Sequence, residues 1–405
     1  MQVPSPLLSP RGDSFASPSV SAILSPRWFF IGVAIGLLAC IGGGFWASRQ
    51  DIYGDRDRFF NQIAQGGSIY PTVDNLCAFV CGKVSKNKKL ILVAGDSRLL
   101  GVGQTNAGLW TRRLQEKLGA DYGVANVSFR GVNAASVGIP LLEILSRKYK
   151  ECLLIVDTVP GDGAAVERRA QQYDYILWDA WIGGEMADNS RRDRKMRSLL
   201  WDGRKDIRDQ AVSMALFGFV ENLTHAVDLW NEIGYNWVFT CSASTLSADI
   251  PFYTPRRQIS DDESGIESVD SLKSRKLDNP AEIKSMINSV NYGSPLNISE
   301  TDFDAMNLNA YDEFISDPKE RNRILFLEPE FMPFFVKQLS ADQRRKMETN
   351  LERWANLLRS QGFHVLRFGK DFEDTDYWDA RHFSNFASPK MADAVAREIL
   401  NETKK

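Results

Sequence analysis

The 405-residue sequence is poor in the side chains on which most catalytic and metal sites are built. It holds only three histidines, so an imidazole can come only from His225, His364 or His382. No cluster of His with Asp or Glu has metal-ligand spacing, which argues against a metal-dependent hydrolase. No metal and no cofactor is expected. Five cysteines are too few and too scattered for a disulfide framework. Cys77 and Cys81 stand four apart in "CAFVC" with no His nearby. They read as two unpaired thiols rather than a zinc site, with a local disulfide open if the domain is exported. A net charge of -3 excludes a global polycation, so nucleic acid is not an expected partner. There is no internal repeat.

The composition, 43% hydrophobic and 25% charged, is that of an ordinary globular protein. The length suits one large domain with insertions, or two domains. One long uncharged run stands out, "WFFIGVAIGLLACIGGGFWA" over residues 28–47. About 20 apolar residues in a helix are enough to cross a hydrocarbon core, and Trp28 and Trp46 bracket the run as interfacial indoles do. A cleaved signal peptide would have a shorter apolar stretch nearer Met1; a buried core helix is the other rival. The expectation is a single transmembrane anchor. Arg11 and Arg27 precede it and Arg49, Arg56 and Arg58 follow among aspartates, so charge does not orient it clearly. A signal-anchor topology, with the main domain extracytoplasmic, is favoured. Residues 1–27, rich in Ser and Pro, read as a disordered tail, and 48–87 as a linker and helix.

From residue 88 to 402 the pattern is α/β. Short apolar runs ending in turn residues predict strands at "KLILVAG" (89–95), "GVANVSFRG" (123–131), "CLLIVDTV" (152–159), "NWVFTCSAS" (236–244) and "FHVLRFG" (363–369). Helical spacing predicts helices at 109–119, 134–149, 211–233, 341–360 and about 388–401. Such alternation implies a five-stranded parallel sheet covered on both faces, with chemistry at the carboxyl ends of its strands. Two stretches break the rhythm and read as insertions. Residues 161–210 carry the basic run "RRDRKMR" (191–197), a solvated helix face or a patch for lipid headgroups or an anionic polymer. Residues 255–312 have little apolar content of their own.

The first strand ends in Gly95, Asp96 and Ser97. A strand-end serine is either a turn residue or a nucleophile presented at the sheet edge. A nucleophilic serine needs a base, usually histidine near neutral pH. His225 lies in a helical pattern and His364 begins the last strand; both read as structural. His382 follows the last strand by a loop, with Asp379 three residues before it. A carboxylate and an imidazole on one short turn can act as the second and third members of a catalytic triad. Neighbouring Trp378 either lines the pocket or packs.

These blocks resemble the SGNH, or GDSL-type, hydrolases. "GDS" is Gly95–Ser97, "NVSFRGVNAAS" (126–136) fits the family's glycine block through Gly131, and "DARH" (379–382) fits its Asp-x-x-His. The resemblance covers about 88–160 and 360–402. It implies a flavodoxin-like three-layer α/β/α fold, catalytic Ser97, His382 and Asp379, and an oxyanion hole from the backbone N–H groups of Ser97 and Gly131. One departure stands out: the third block should carry an Asn, and "VDTVPGDG" (156–163) has none. Asp157 and Asp162 are poor substitutes, because an ionised carboxylate repels an oxyanion.

Three functions follow from this resemblance. The first is a membrane-anchored esterase or deacylase acting on acylated cell-envelope glycans or lipids. The second is an O-acyltransferase working with a polytopic membrane partner that supplies acyl groups. The third is an inactive SGNH-like domain that binds an acylated polymer.

Overall fold

The computed structural model describes residues 26–47, 58, 62–63, 67–68, 72–129, 134–158, 174–201, 315 and 318–402. The expected strand at 236–244, the helix at 211–233, His225, Asp162 and the 255–312 insertion lie outside these residues. Five parallel strands form the central sheet: β1 (Lys89–Val93), β2 (Tyr122–Asn126), β3 (Cys152–Asp157), β4 (Ile324–Pro329) and β5 (His364–Phe368). Their spatial order is β2-β1-β3-β4-β5, the doubly wound order in which the chain leaves β1 in both directions and opens a crevice at the switch between β1 and β3. The sequence reading has no counterpart to β4.

The strands are continuous apolar runs because both faces of the sheet are covered. Alternation along β1 makes this visible. Leu90, Leu92 and Ala94 join one core cluster with residues of α2 (Val73–Lys83), α5 (Ala134–Ser146) and α6 (Asp174–Ile182). Ile91 and Val93 join a second cluster with residues of α4 (Trp110–Leu118), α8 (Pro333–Gln338) and α10 (Ala387–Glu402). Between β4 and β5 runs α9 (Ala341–Ser360), whose N-terminus is closed by a capping box: the Ser340 side chain accepts from the Gln343 amide and the Gln343 side chain from the Ser340 amide. Trp354 and Leu358 of α9 join the first cluster and Met347 and Leu351 the second, so α9 closes the edge of both layers.

Residues 174–201 build onto this framework. Ile176, Trp178 and Ala180 of α6, and Met196 of α7 (Ser190–Trp201), are buried in the first cluster. Within the basic run, Arg191, Arg194 and Arg197 are exposed, whereas Arg192 is buried and pairs with Glu143 at 2.8 Å. Three of the run's four arginines therefore face outward, and one is turned inward as a structural partner. Cys77 and Cys81 are free thiols.

Residues Pro26–Ala47 form the 22-residue helix α1. Trp28, Phe29, Phe30, Ile35 and Leu38 are exposed, and none of them belongs to either core cluster. Among the described residues no helix is long and apolar enough to cross a membrane.

Candidate active site

Beyond β1 the chain passes through Ala94 and Gly95 and enters α3 (Ser97–Leu100). Asp96 is the N-cap, accepting from the Arg98 amide at 2.7 Å, and Gly101 ends the short helix with φ 83°. A left-handed C-cap of this kind favours glycine. Ser97 is thus the first helical residue, and its amide has no carbonyl one turn back to donate to. The strand-to-helix bend sits beside the β1–β3 switch and turns the Ser97 hydroxyl outward.

His382 meets it from the loop after β5. Ser97 Oγ lies 2.7 Å from His382 Nε2. His382 Nδ1 lies 2.7 Å from Asp379 Oδ2. The other carboxylate oxygen, Asp379 Oδ1, accepts from the backbone amides of Arg381 and His382 at 2.8 and 2.9 Å. Tyr377 and Phe383 form an antiparallel bridge, and the Trp378 amide donates to the His382 carbonyl at 2.8 Å. The Asp-x-x-His spacing thereby becomes a closed turn whose carboxylate holds both its own backbone and the imidazole. With Nδ1–H given to the carboxylate, Nε2 is left as the acceptor for the serine proton, a tautomer assigned from the hydrogen-bond pattern. Burial works to raise the Asp379 carboxyl, but the His382 ring and the two amides overcome it and bring it to about 2. It stays an anion throughout the neutral range.

Two features that sequence reasoning missed hold these three residues in place. The first is a seam between the loop after α3 and the histidine loop. The Thr105 amide donates to Asn385 Oδ1 at 2.9 Å, the Asn385 amide group returns a bond to Thr105 Oγ1 at 3.2 Å, and Gln104 Nε2 donates to the Ser384 carbonyl at 3.4 Å. The seam is tight at Gly103, which has φ 89°; a Cβ there would lie 2.5 Å from Trp378 Cβ and 2.8 Å from the Phe383 carbonyl oxygen. Trp378 therefore packs against this loop. No local sequence signal marks these contacts, since their partners are some 280 residues apart.

The second feature lies beneath Ser97. Asp157, at the end of β3, accepts from the Asp96 amide through Oδ1 at 2.9 Å and pairs through Oδ2 with Arg98 Nη2 at 2.8 Å. Arg98 Nε in turn bonds both Asp96 oxygens at 3.2 Å. A Cβ on Gly95 would fall 2.2 Å from Asp157 Oδ1, so glycine is required there by the close approach of β3's last side chain. Burial, and then the neighbouring Asp96 charge, push the Asp157 carboxyl well above its ordinary range. Asp96 moves the other way: against burial, the Arg98 charge and the hydrogen bond with Asp157 hold it well below. Asp157 thus points into the turn beneath the serine and does not supply a third oxyanion donor.

The second block is tied to the same turn. The Ser128 hydroxyl accepts from the Gly95 amide at 3.0 Å, the Phe129 amide donates to the Gly95 carbonyl at 3.0 Å, and Asn126 Nδ2 donates to the Leu99 carbonyl at 2.9 Å. Gly131 lies outside the described residues. His364 takes its place on the edge strand β5, half-buried and away from the serine.

A cavity of about 470 Å³ opens at the opposite, amino edge of the sheet, lined among others by Lys89, Tyr122, Cys152, Arg323 and His364. Its one thiol, Cys152, is pushed up to about 12 by burial, which leaves it unreactive. The hydrogen-bonded Ser97–His382–Asp379 arrangement is instead at the carboxyl edge, where doubly wound sheets gather their chemistry. Among the described residues no group of three or more His, Cys, Asp or Glu could hold a metal ion. No family model matches this sequence, and no curated protein is significantly similar to it.

Proposed function

We propose that this chain is a membrane-anchored serine esterase of the SGNH type, acting on ester-linked acyl groups of cell-envelope glycans or lipids. The observation that carries this reading is the relay from Ser97 Oγ to His382 Nε2 and from Nδ1 to Asp379, both steps at 2.7 Å. Hydrogen bonds of that length join a nucleophile to its base and the base to its orienting carboxylate.

In the first half-reaction Ser97 Oγ attacks the ester carbonyl carbon while its proton passes to His382 Nε2. The tetrahedral intermediate collapses, the bond to the leaving alcohol breaks, and His382 returns the proton to that alcohol. An acyl-serine remains. Water then attacks it, His382 takes the water's proton, and the acid leaves as Ser97 regains its hydrogen. Asp379 fixes the imidazole and offsets its transient positive charge. The oxyanion is received by the Ser97 amide, with the Gly131 amide as the second donor that the motif implies. The uncharged run 28–47 and the exposed indole and phenyl groups at the start of α1 support a membrane anchor, and the proposed signal-anchor topology sets the α/β domain on the extracytoplasmic side.

A transferase is the second reading. It is favoured by the inward turn of Asp157, which leaves the described residues one oxyanion donor short of the hydrolase pattern. The acyl-serine would then pass to a sugar hydroxyl instead of water, with the acyl group supplied by a polytopic membrane partner. The test is acetate release from O-acetylated envelope glycan by the full chain, beside Ser97→Ala. Release that disappears in the variant supports the esterase. Acyl transfer to an added glycan without free acetate supports the transferase. With neither, and the polymer bound, the domain is a binding module.

A further inference from the structure

We propose that Arg381 recognises an anionic oxo-acid group, a carboxylate or a phosphate, on the molecule that carries the scissile ester, so that the substrate is an acylated anionic glycan or lipid. This rests on the serine-esterase reading above. Arg381 stands in the Asp-x-x-His turn beside the base His382, and its guanidinium is the second cation at the nucleophile turn. The first, Arg98, is 3% exposed and fully engaged, holding both oxygens of Asp96 and one of Asp157. Arg381 is different. Its side chain is 26% exposed, and among the described residues its one ionic contact is Asp96 Oδ2 at 4.0 Å, beyond hydrogen-bond length.

The Asp96 carboxylate already shares the one Arg98 Nε–H between its two oxygens, and it also caps α3. The Arg381 charge helps to keep Asp96 ionised from a distance, without a hydrogen bond to it. A guanidinium cannot shed its proton in a protein, so the turn beside His382 keeps a fixed positive charge with no hydrogen-bonded acceptor among the described residues. Planar guanidinium groups suit carboxylate and phosphate oxygens, which they bind in pairs. Solvent reaches the group, which a ligand arriving from outside requires. Neutral acyl esters would find no use for it.

The experiment compares three acetyl esters on the full chain. They are a mono-O-acetylated methyl glucuronoside, the matching methyl glucoside, and the glucoside carrying a methyl phosphodiester at C6. The quantity read is the ratio of kcat/KM for each anionic ester over the neutral one, which is internal to each preparation and insensitive to partial misfolding. The expected ratio in the wild type is about 10–100, the range for hydrogen bonds to charged groups. It should fall to about 1 in Arg381→Ala, be intermediate in Arg381→Lys, and shrink with added salt. Whichever anionic ester gives the larger ratio identifies the source of the oxo-acid group.

A wild-type ratio near 1 overturns the inference while leaving the esterase standing. So does a ratio that Arg381→Ala leaves unchanged because both substrates slow together, which would make Arg381 a stabiliser of the oxyanion. No turnover of any ester, with no covalent labelling of Ser97, overturns the esterase reading and this inference with it.

Discussion

Replacing Asp379 by Asn changes one atom and, on the geometry described above, reverses the direction of the proton relay. Asp379 Oδ1 accepts two backbone amides, from Arg381 and His382, and Oδ2 accepts the His382 ring. The asparagine side chain has one oxygen and one NH2. If the oxygen stays with the two amides, the NH2 faces Nδ1, which must then be the bare nitrogen. The ring proton moves to Nε2 and points at Ser97, so the base can no longer take the serine's proton. Flipping the amide restores the ring's partner but sets the NH2 against two N–H donors. Two lost hydrogen bonds cost at least about 2 kcal/mol, taken at the low end because the Asp379 side chain is 43% exposed. The productive flip is then populated at no more than about 3%. The expected loss in kcat on an activated ester is at least about 30-fold, reaching roughly 10⁴-fold if the wrong tautomer is imposed fully. The Tm should change little, since the turn keeps its two amide bonds. The assay is steady-state turnover of p-nitrophenyl acetate beside a thermal melt. Asp379→Asn retaining more than a tenth of wild-type kcat would refute the argument.

Gly103→Ala should damage stability and activity together. Its Cβ would meet Trp378 and the Phe383 carbonyl at a positive φ, a strain of about 1–3 kcal/mol or more, read as a lowered Tm and weaker labelling of Ser97. A charge buried away from the site gives a pH signature. Glu328 is 1% exposed, faces Arg367 at 3.0 Å, and is pushed up to about 8 by burial, against the Arg367 charge and with help from Glu330 and Glu352. A carboxyl raised above its unfolded value of about 4.3 contributes stability that is full below that value and lost as the pH rises through 8. The Tm should therefore fall between pH 5 and pH 8 more in the wild type than in Glu328→Gln. Equal slopes in melts across that range would contradict the assignment.

Much of this architecture is legible in the sequence, because the signals there are local. β1, β2, β3 and β5 are short apolar runs closed by turn residues, and α9 occupies 341–360 as its spacing and its Ser340–Gln343 cap imply. α4 stops before Gly119, at φ 79°. The Asp-x-x-His turn is local too, which is why Asp379 and His382 can be paired by eye. The missing pieces depend on contacts between distant segments. β4 is six residues with no period to distinguish strand from helix, and it carries Glu328, a residue tolerated in a buried strand only because Arg367 of β5 lies across from it. Residues 174–201 break the strand–helix rhythm in sequence, yet α6 and part of α7 bury apolar side chains on the shared core. Asp157 illustrates the limit most clearly. Its sequence position shows only that the asparagine expected from the resemblance is absent, whereas its place beneath Ser97 exists only once β1 and β3 lie side by side.

The most direct test of the central claim is covalent labelling of the full chain with an uncharged fluorophosphonate, located by peptide mass spectrometry. The account predicts a single adduct on Ser97, absent in Ser97→Ala and at least about 10³-fold slower in His382→Ala, as expected when the base of such a triad is removed. A folded wild-type chain that takes no label, or one labelled at a different serine, would contradict it.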